Sequence, residues 1–131
     1  MKFKLLILAG CFIFSSCIKN APPINPDDVV GTYVGEYGKE KEWKEVIIIK
    51  PDGSYQQLVY QSGEQLYDNQ GKWKALYQGV EFSDFIVLMR GFGEVGYPEK
   101  TAFFSAVWSN YQSRKCLAFD IDNDYVACER K

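Results

Sequence analysis

Val46-Ile47-Ile48-Ile49-Lys50-Pro51-Asp52-Gly53-Ser54-Tyr55-Gln56-Gln57-Leu58-Val59-Tyr60 reads as a β-hairpin, and the fold class follows from it. The first four residues are all β-branched, which suits a pleated, half-buried surface. Pro51-Asp52-Gly53-Ser54 then breaks the run. Proline presets φ, aspartate bonds its own backbone, and glycine takes positive φ without steric penalty. Residues 54–60 return as a second strand. The turn chemistry is explained by backbone geometry alone, so activity is to be sought elsewhere.

Strand signals continue on both sides of the hairpin. Residues 29–37 place Tyr33 and Tyr37 on one face with Gly31 and Gly35. In residues 42–50, Trp43, Glu45, Ile47 and Ile49 share one face, and Lys44, Val46, Ile48 and Lys50 share the other. Both faces are apolar at mid-strand, so cover on both sides is expected there. Residues 62–70 read as a polar loop. Residues 71–77 form a strand with Trp73, Ala75 and Tyr77 inward. Residues 80–89 and 101–109 are further strands, separated by the Gly- and Pro-containing irregular segment 90–100. Residues 115–121 and 125–130 form a last hairpin. No segment of ten residues or more has a helical period. Seven to eight short strands at about 8–12-residue spacing predict an all-β chain, a small antiparallel up-and-down barrel or a barrel-like sandwich.

The N-terminal segment has a different character. Lys2 and Lys4 precede a short apolar run from Leu5 to Phe14, and Ser15-Ser16 precede Cys17. This is the plan of an export signal, and it is too short to span a bilayer. With a cysteine after the small residues it resembles a bacterial lipoprotein signal, which implies cleavage after residue 16 and lipidation of Cys17. Leu8-Ala9-Gly10-Cys11 also fits that motif but leaves an apolar core below the usual minimum of about seven residues. Cys17 is therefore preferred to Cys11, and an ordinary cleaved signal peptide is the other reading. Residues 17–28 hold three of the five prolines and read as a lipidated cysteine followed by an extended, poorly ordered tether. Residues 29–131 are then one barrel domain, and an aromatic content of 16% can fill its core despite its size.

Composition excludes several function classes. Of 15 basic residues, Lys2 and Lys4 leave with the signal, so 13 face 17 acidic residues at a net charge of −4. That balance offers no basic footprint for nucleic acid. Histidine is absent, which removes Ser-His-Asp and Cys-His catalysis and His-ligated zinc. No nucleophile–base pair can be named, so an enzyme is not expected, nor a metal or cofactor.

The remaining motifs are weak. Cys116 and Cys128 lie on the two arms of the last hairpin. A three-residue loop of Ile121-Asp122-Asn123 would set them directly opposite for a disulfide, as expected in an exported protein; two free thiols are the alternative. Asp120, Asp122 and Asp124 alternate as in a calcium loop, but Tyr125 and Lys131 stand where glycine and glutamate are needed. Gly91-Phe92-Gly93-Glu94-Val95-Gly96 matches a dinucleotide motif by letter, without the helix that would receive a pyrophosphate. The same segment, with Arg90 at its base and Phe92 and Tyr97 near its tip, is the candidate partner-binding loop. Trp43, Trp73 and Trp108 either line a ligand cavity or fill the core, the latter being expected in so short a chain. Glu81 and Asp84 form no dyad that the sequence can place.

Gly31-Thr32-Tyr33, Pro51-Asp52-Gly53-Ser54-Tyr55 and Gly71-Lys72-Trp73 occur in an order that resembles small exported lipoproteins of Gram-negative bacteria carrying a lipocalin-like β-barrel domain. The likeness covers residues 31–77. Tyr33 stands where the first strand of lipocalins has tryptophan, which speaks against their ligand cavity. The resemblance implies a non-enzymatic, lipid-anchored envelope protein, and Ile18 after the cysteine implies sorting to the outer membrane, facing the periplasm or the cell surface. The expected role is a binding or structural module. An inhibitor or immunity protein acting through residues 90–100 on an envelope-active enzyme or toxin is the alternative, and a carrier of a small apolar ligand is the third.

Overall fold

The structure, a computed structural model, describes residues 24–89 and 95–130, with the backbone only at Met89, Tyr97 and Tyr111. After a helical turn α1 (Pro26–Val29), eight strands follow: β1 (Gly31–Tyr37), β2 (Trp43–Ile49), β3 (Ser54–Gln61), β4 (Glu64–Ala75), β5 (Gly79–Met89), β6 (Val95–Tyr111), β7 (Arg114–Asp120) and β8 (Tyr125–Glu129). They close an antiparallel barrel in chain order, β8 pairing back onto β1. The all-β expectation holds, and the barrel, not the sandwich, is the form it takes. Closure pairs the first strand with the last instead of leaving both as open sheet edges.

Antiparallel order alternates the connections between two ends. The α1 end carries residues 24–30 and the turns at 50–53, 76–78 and 112–113. The far end carries the turns at 38–42, 62–63 and 121–124.

Several local readings change. Residues 26–28 were expected in an extended tether and Val29 at the start of the first strand, but 26–29 make a helical turn. Asn25 caps it, its Oδ1 accepting from the Asp27 amide at 3.1 Å, with proline and two aspartates in the first turn. Val29 is fully buried and Ile24 packs on the core, so packing begins before β1.

The expected loop at 62–70 shrinks to Ser62-Gly63, both at positive φ, which suits a two-residue hairpin. Residues 64–70 continue as strand; only Asn69 among them is buried, so no apolar alternation marked them. Tyr77, expected inward, is 44% exposed in the turn after β4.

Residues 95–100 were expected to be irregular but belong to β6. The β5–β6 register slips between Val87↔Glu99 and Met89↔Val95, and Pro98 sits inside that irregularity, where no ladder bond is lost to it. The last hairpin turns over four residues, Ile121–Asp124, not three. An irregularity between Ala118 and Asp120 absorbs the extra residue and restores Cys116 opposite Cys128.

Inward residues form two adjoining clusters. One, around Tyr33, Ile47, Ile49, Tyr55, Phe82, Phe85 and Leu117, lies toward the α1 end. The other, around Tyr37, Val59, Ile86, Leu88 and Tyr125, lies toward the far end. Rings of Phe85, Phe104, Phe119 and Tyr125 join them, with centroids 4.7–6.3 Å apart. The interior is thus filled by the chain's own side chains. Val46 and Ile48 point outward, half-buried, with Val34 and Leu58 as the cross-strand neighbours of Val46; no second layer covers them among the described residues.

Candidate functional site: a buried carboxyl and the barrel seam

Two of the eight strand junctions are only partly zipped. β4 and β5 pair at three positions, Trp73↔Phe82 to Ala75↔Val80, all near the α1 end. β1 and β8 pair at two, Tyr33↔Glu129 and Val34↔Cys128. Toward the far end both junctions lack a backbone ladder. Buried backbone polar groups must still find partners, and at the β4–β5 junction polar side chains supply them.

At the β4–β5 junction, inward residues of β3 and β4 reach across to the β5 backbone. Gln57 uses both ends of its amide. Its Nε2 donates to the Ile86 carbonyl at 2.7 Å, and its Oε1 accepts from the Ile86 amide at 3.0 Å. Asn69, the cross-strand partner of Gln57, donates to the Asp84 carbonyl at 2.7 Å and to Gln57 Oε1 at 3.1 Å. The Tyr55 hydroxyl donates to the Ser83 carbonyl. Three side chains thus imitate a strand edge.

At the β1–β8 junction the closure is aromatic. Tyr37 and Tyr125 meet edge-on with centroids 5.0 Å apart. Both hydroxyls donate to Glu45, Tyr37 to Oε1 and Tyr125 to Oε2, each at 3.3 Å. The Tyr125 hydroxyl also accepts from the Leu88 amide at 3.4 Å. Gln57 completes the set by donating to Glu45 Oε2 at 2.6 Å. Glu45 therefore sits where both junctions converge.

Glu45 is fully buried. Its hydrogen bonds come from neutral donors, and no cation pairs with it among the described residues. Burial, only partly offset by those three donors, pushes its carboxyl up to about 7. Burial also raises the Tyr37 and Tyr125 phenols, with the Glu45 charge second in each case. Raised carboxyls are a mark of catalytic sites, but zero exposure keeps solutes away from this one. It is suited to holding a proton and to joining strands. Among the described residues no group of three His, Cys, Asp or Glu side chains is placed to hold a metal.

Of the residues singled out in the sequence, Cys116 and Cys128 form a disulfide, with Cα atoms 4.0 Å apart on the outer face of β7–β8. Cys17, Cys11, Arg90 and Phe92 lie outside the described residues, and Tyr97 lies in β6. Asp120 accepts from Asn123 Nδ2 at 2.7 Å within the hairpin turn. Glu81 faces outward to Lys74 at 3.2 Å. The tryptophans pack on the core: Trp73 Nε1 donates to the Lys50 carbonyl at 2.8 Å, Trp108 Nε1 to the Tyr33 hydroxyl at 3.1 Å, and Trp43 rests on the far-end cluster.

Glu45, Gln57 and Asn69 were not singled out by composition or motif. The alternation of β2 did put Glu45 on the face of Ile47 and Ile49, which is the signal that a buried carboxyl leaves. No protein-family model, curated protein or solved structure matches this chain.

Proposed function

We propose that this chain is a lipid-anchored protein of the bacterial envelope that acts through its surface rather than its interior: a non-enzymatic binding or structural module. The observation that carries the reading is the filled interior. Aromatic rings and the Glu45 network occupy the space in which a carrier would hold its ligand or an enzyme its substrate, which leaves the outer face to meet partners.

The strand order supports the anchoring part. Cys17 lies seven residues before Ile24, a reach of about 25 Å at full extension, and Ile24 enters at the α1 end. An anchor there would leave the far-end turns directed away from the membrane, in the envelope compartment where a disulfide persists.

The test is fractionation. Cys17→Ser should move the protein from the membrane to the soluble fraction, whereas continued membrane association would overturn the anchor. Mass spectrometry of an organic extract of the purified protein should find no stoichiometric apolar ligand; finding one would restore the carrier reading.

A further inference from the structure

The incomplete β1–β8 seam leaves a groove on the outside of the barrel. Its walls are β1 at residues 34–36 and, on the other side, β8 from residue 126 together with Arg130 just after it, and its volume is about 680 Å³. Beyond Val34↔Cys128 neither strand has a ladder partner across the seam. Inside, the Tyr37–Tyr125 pair closes it, so the groove has a floor and does not lead into the core.

The groove is rich in cations. Lys41, Lys44, Arg114 and Arg130 line it against Glu36 and Glu129, an excess of two positive charges on a chain whose net charge is −2. Arg114 lies two residues before Cys116, and Arg130 two residues after Cys128. The β7–β8 ladder ends at Cys116↔Cys128, and its register continued by two residues brings the two arginines, both of which line the groove, together beside the disulfide. Like charges directly opposite one another destabilise a sheet. No ion pair ties Lys41, Arg114 or Arg130 to a carboxylate among the described residues. A second anionic group between them would relieve that repulsion.

We infer that this seam groove docks an acidic polypeptide segment in extended form, whose backbone pairs with the free edge of β1 beyond Val34 and whose carboxylates meet Lys41, Arg114 and Arg130. Unpaired strand edges take up extended peptides through main-chain hydrogen bonds, and flanking side chains set the preference. The inference rests on the reading of the chain as a binding module and names the class of its partner.

The test uses the full chain in detergent micelles and a fluorescent peptide of alternating glutamate and valine, read by anisotropy. Three comparison probes are its lysine–valine counterpart, a version N-methylated at alternate residues, and free pyrophosphate as competitor. The acidic peptide should bind, and its affinity should fall as salt is raised. The N-methylated peptide should bind weakly, because it cannot pair with a strand edge. Lys41→Glu with Arg130→Glu should lower affinity by about tenfold or more, and Arg114→Glu should lower it on its own. Lys72→Glu, on exposed β4, should not change it. Unchanged far-UV circular dichroism would certify that the variants fold.

Equal binding of the lysine peptide, or indifference to the groove reversals, would overturn the proposal. Equal binding of the N-methylated peptide, or full competition by pyrophosphate, would reduce the groove to a simple anion patch and overturn strand docking. Cys17→Ser should leave peptide affinity unchanged, so anchoring and docking can fail separately.

Discussion

Gly35 and Glu45 stand directly opposite each other on β1 and β2, and the space that a side chain at Gly35 would fill is taken by the Tyr37 hydroxyl on its way to the Glu45 carboxylate. A Cβ at position 35 would collide with the ring and hydroxyl of Tyr37. The glycine is therefore a packing requirement of the seam.

Gly35→Ala should displace Tyr37, separate it from Glu45 and lower stability by about 1–3 kcal/mol, the usual range for overpacking a core. Urea unfolding would measure it. The loss should shrink when Tyr37 is already leucine, because the clash then has no partner; full additivity in that double-mutant cycle would show that the strain lies elsewhere.

The Glu45 carboxyl gives stability a pH dependence. Its pKa in the fold is about 7, against an ordinary value of 4.5. The folded state holds the proton more tightly, so stability is greatest below about pH 4.5 for this group and falls as pH rises through 7. The difference corresponds to about 3 kcal/mol. Glu45→Gln should remove that slope and make the protein more stable than the parent at pH 8. Chemical denaturation at pH 5 and pH 8 reads it, and a parent curve that is flat across this window would show the carboxylate to be better solvated than its burial implies.

Gln57→Leu keeps the volume of the side chain but removes four hydrogen bonds, those with Glu45, Asn69 and both backbone groups of Ile86. Each buried group left unpaired costs about 1–3 kcal/mol. A loss of at least ~3 kcal/mol is expected, with the Ile86 amide losing hydrogen-exchange protection before amides of the fully laddered β2–β3 pair. Uniform loss of protection across the barrel would mean that Gln57 does not close the β4–β5 junction.

The disulfide spans 12 residues. Closing a loop of that size limits the unfolded chain by about 3 kcal/mol on a chain-entropy estimate. Cys116→Ser with Cys128→Ser should lower the urea midpoint accordingly. Because Arg114 and Arg130 each lie two residues from a bridged cysteine and line the groove with Cys128, the same variant should also weaken the acidic-peptide binding; unchanged affinity would separate the disulfide from the groove.

Much of the architecture was legible along the chain. The Val46–Tyr60 hairpin is as read, because β-branched runs and a Pro-Asp-Gly turn act through local backbone preferences. Alternation put Tyr33 with Tyr37, and Ile47 with Ile49, on common faces, and those faces are the buried ones. The readings that changed are those in which a partner strand, not the local sequence, decides. Polar residues 64–70 are strand because β3 pairs with them, and residues 95–100 are strand because β5 does. Pro26 to Val29 turn helically where a proline-rich composition suggested extension, because the Asn25 cap and a buried Val29 outweigh composition.

The sequence by itself determined an all-β chain of seven to eight strands, the residues that share each strand face, and the last hairpin that carries Cys116 and Cys128, since each depends on a period of two and on neighbouring turns. Only the tertiary structure decided that the barrel closes incompletely, that Gln57, Asn69, Tyr37 and Tyr125 complete it, and that Glu45 lies at their meeting point. Those contacts join residues as far apart as Glu45 and Tyr125. No local preference encodes them, because a polar side chain at an inward position reveals that it is buried, but not which distant backbone or carboxyl it is buried against.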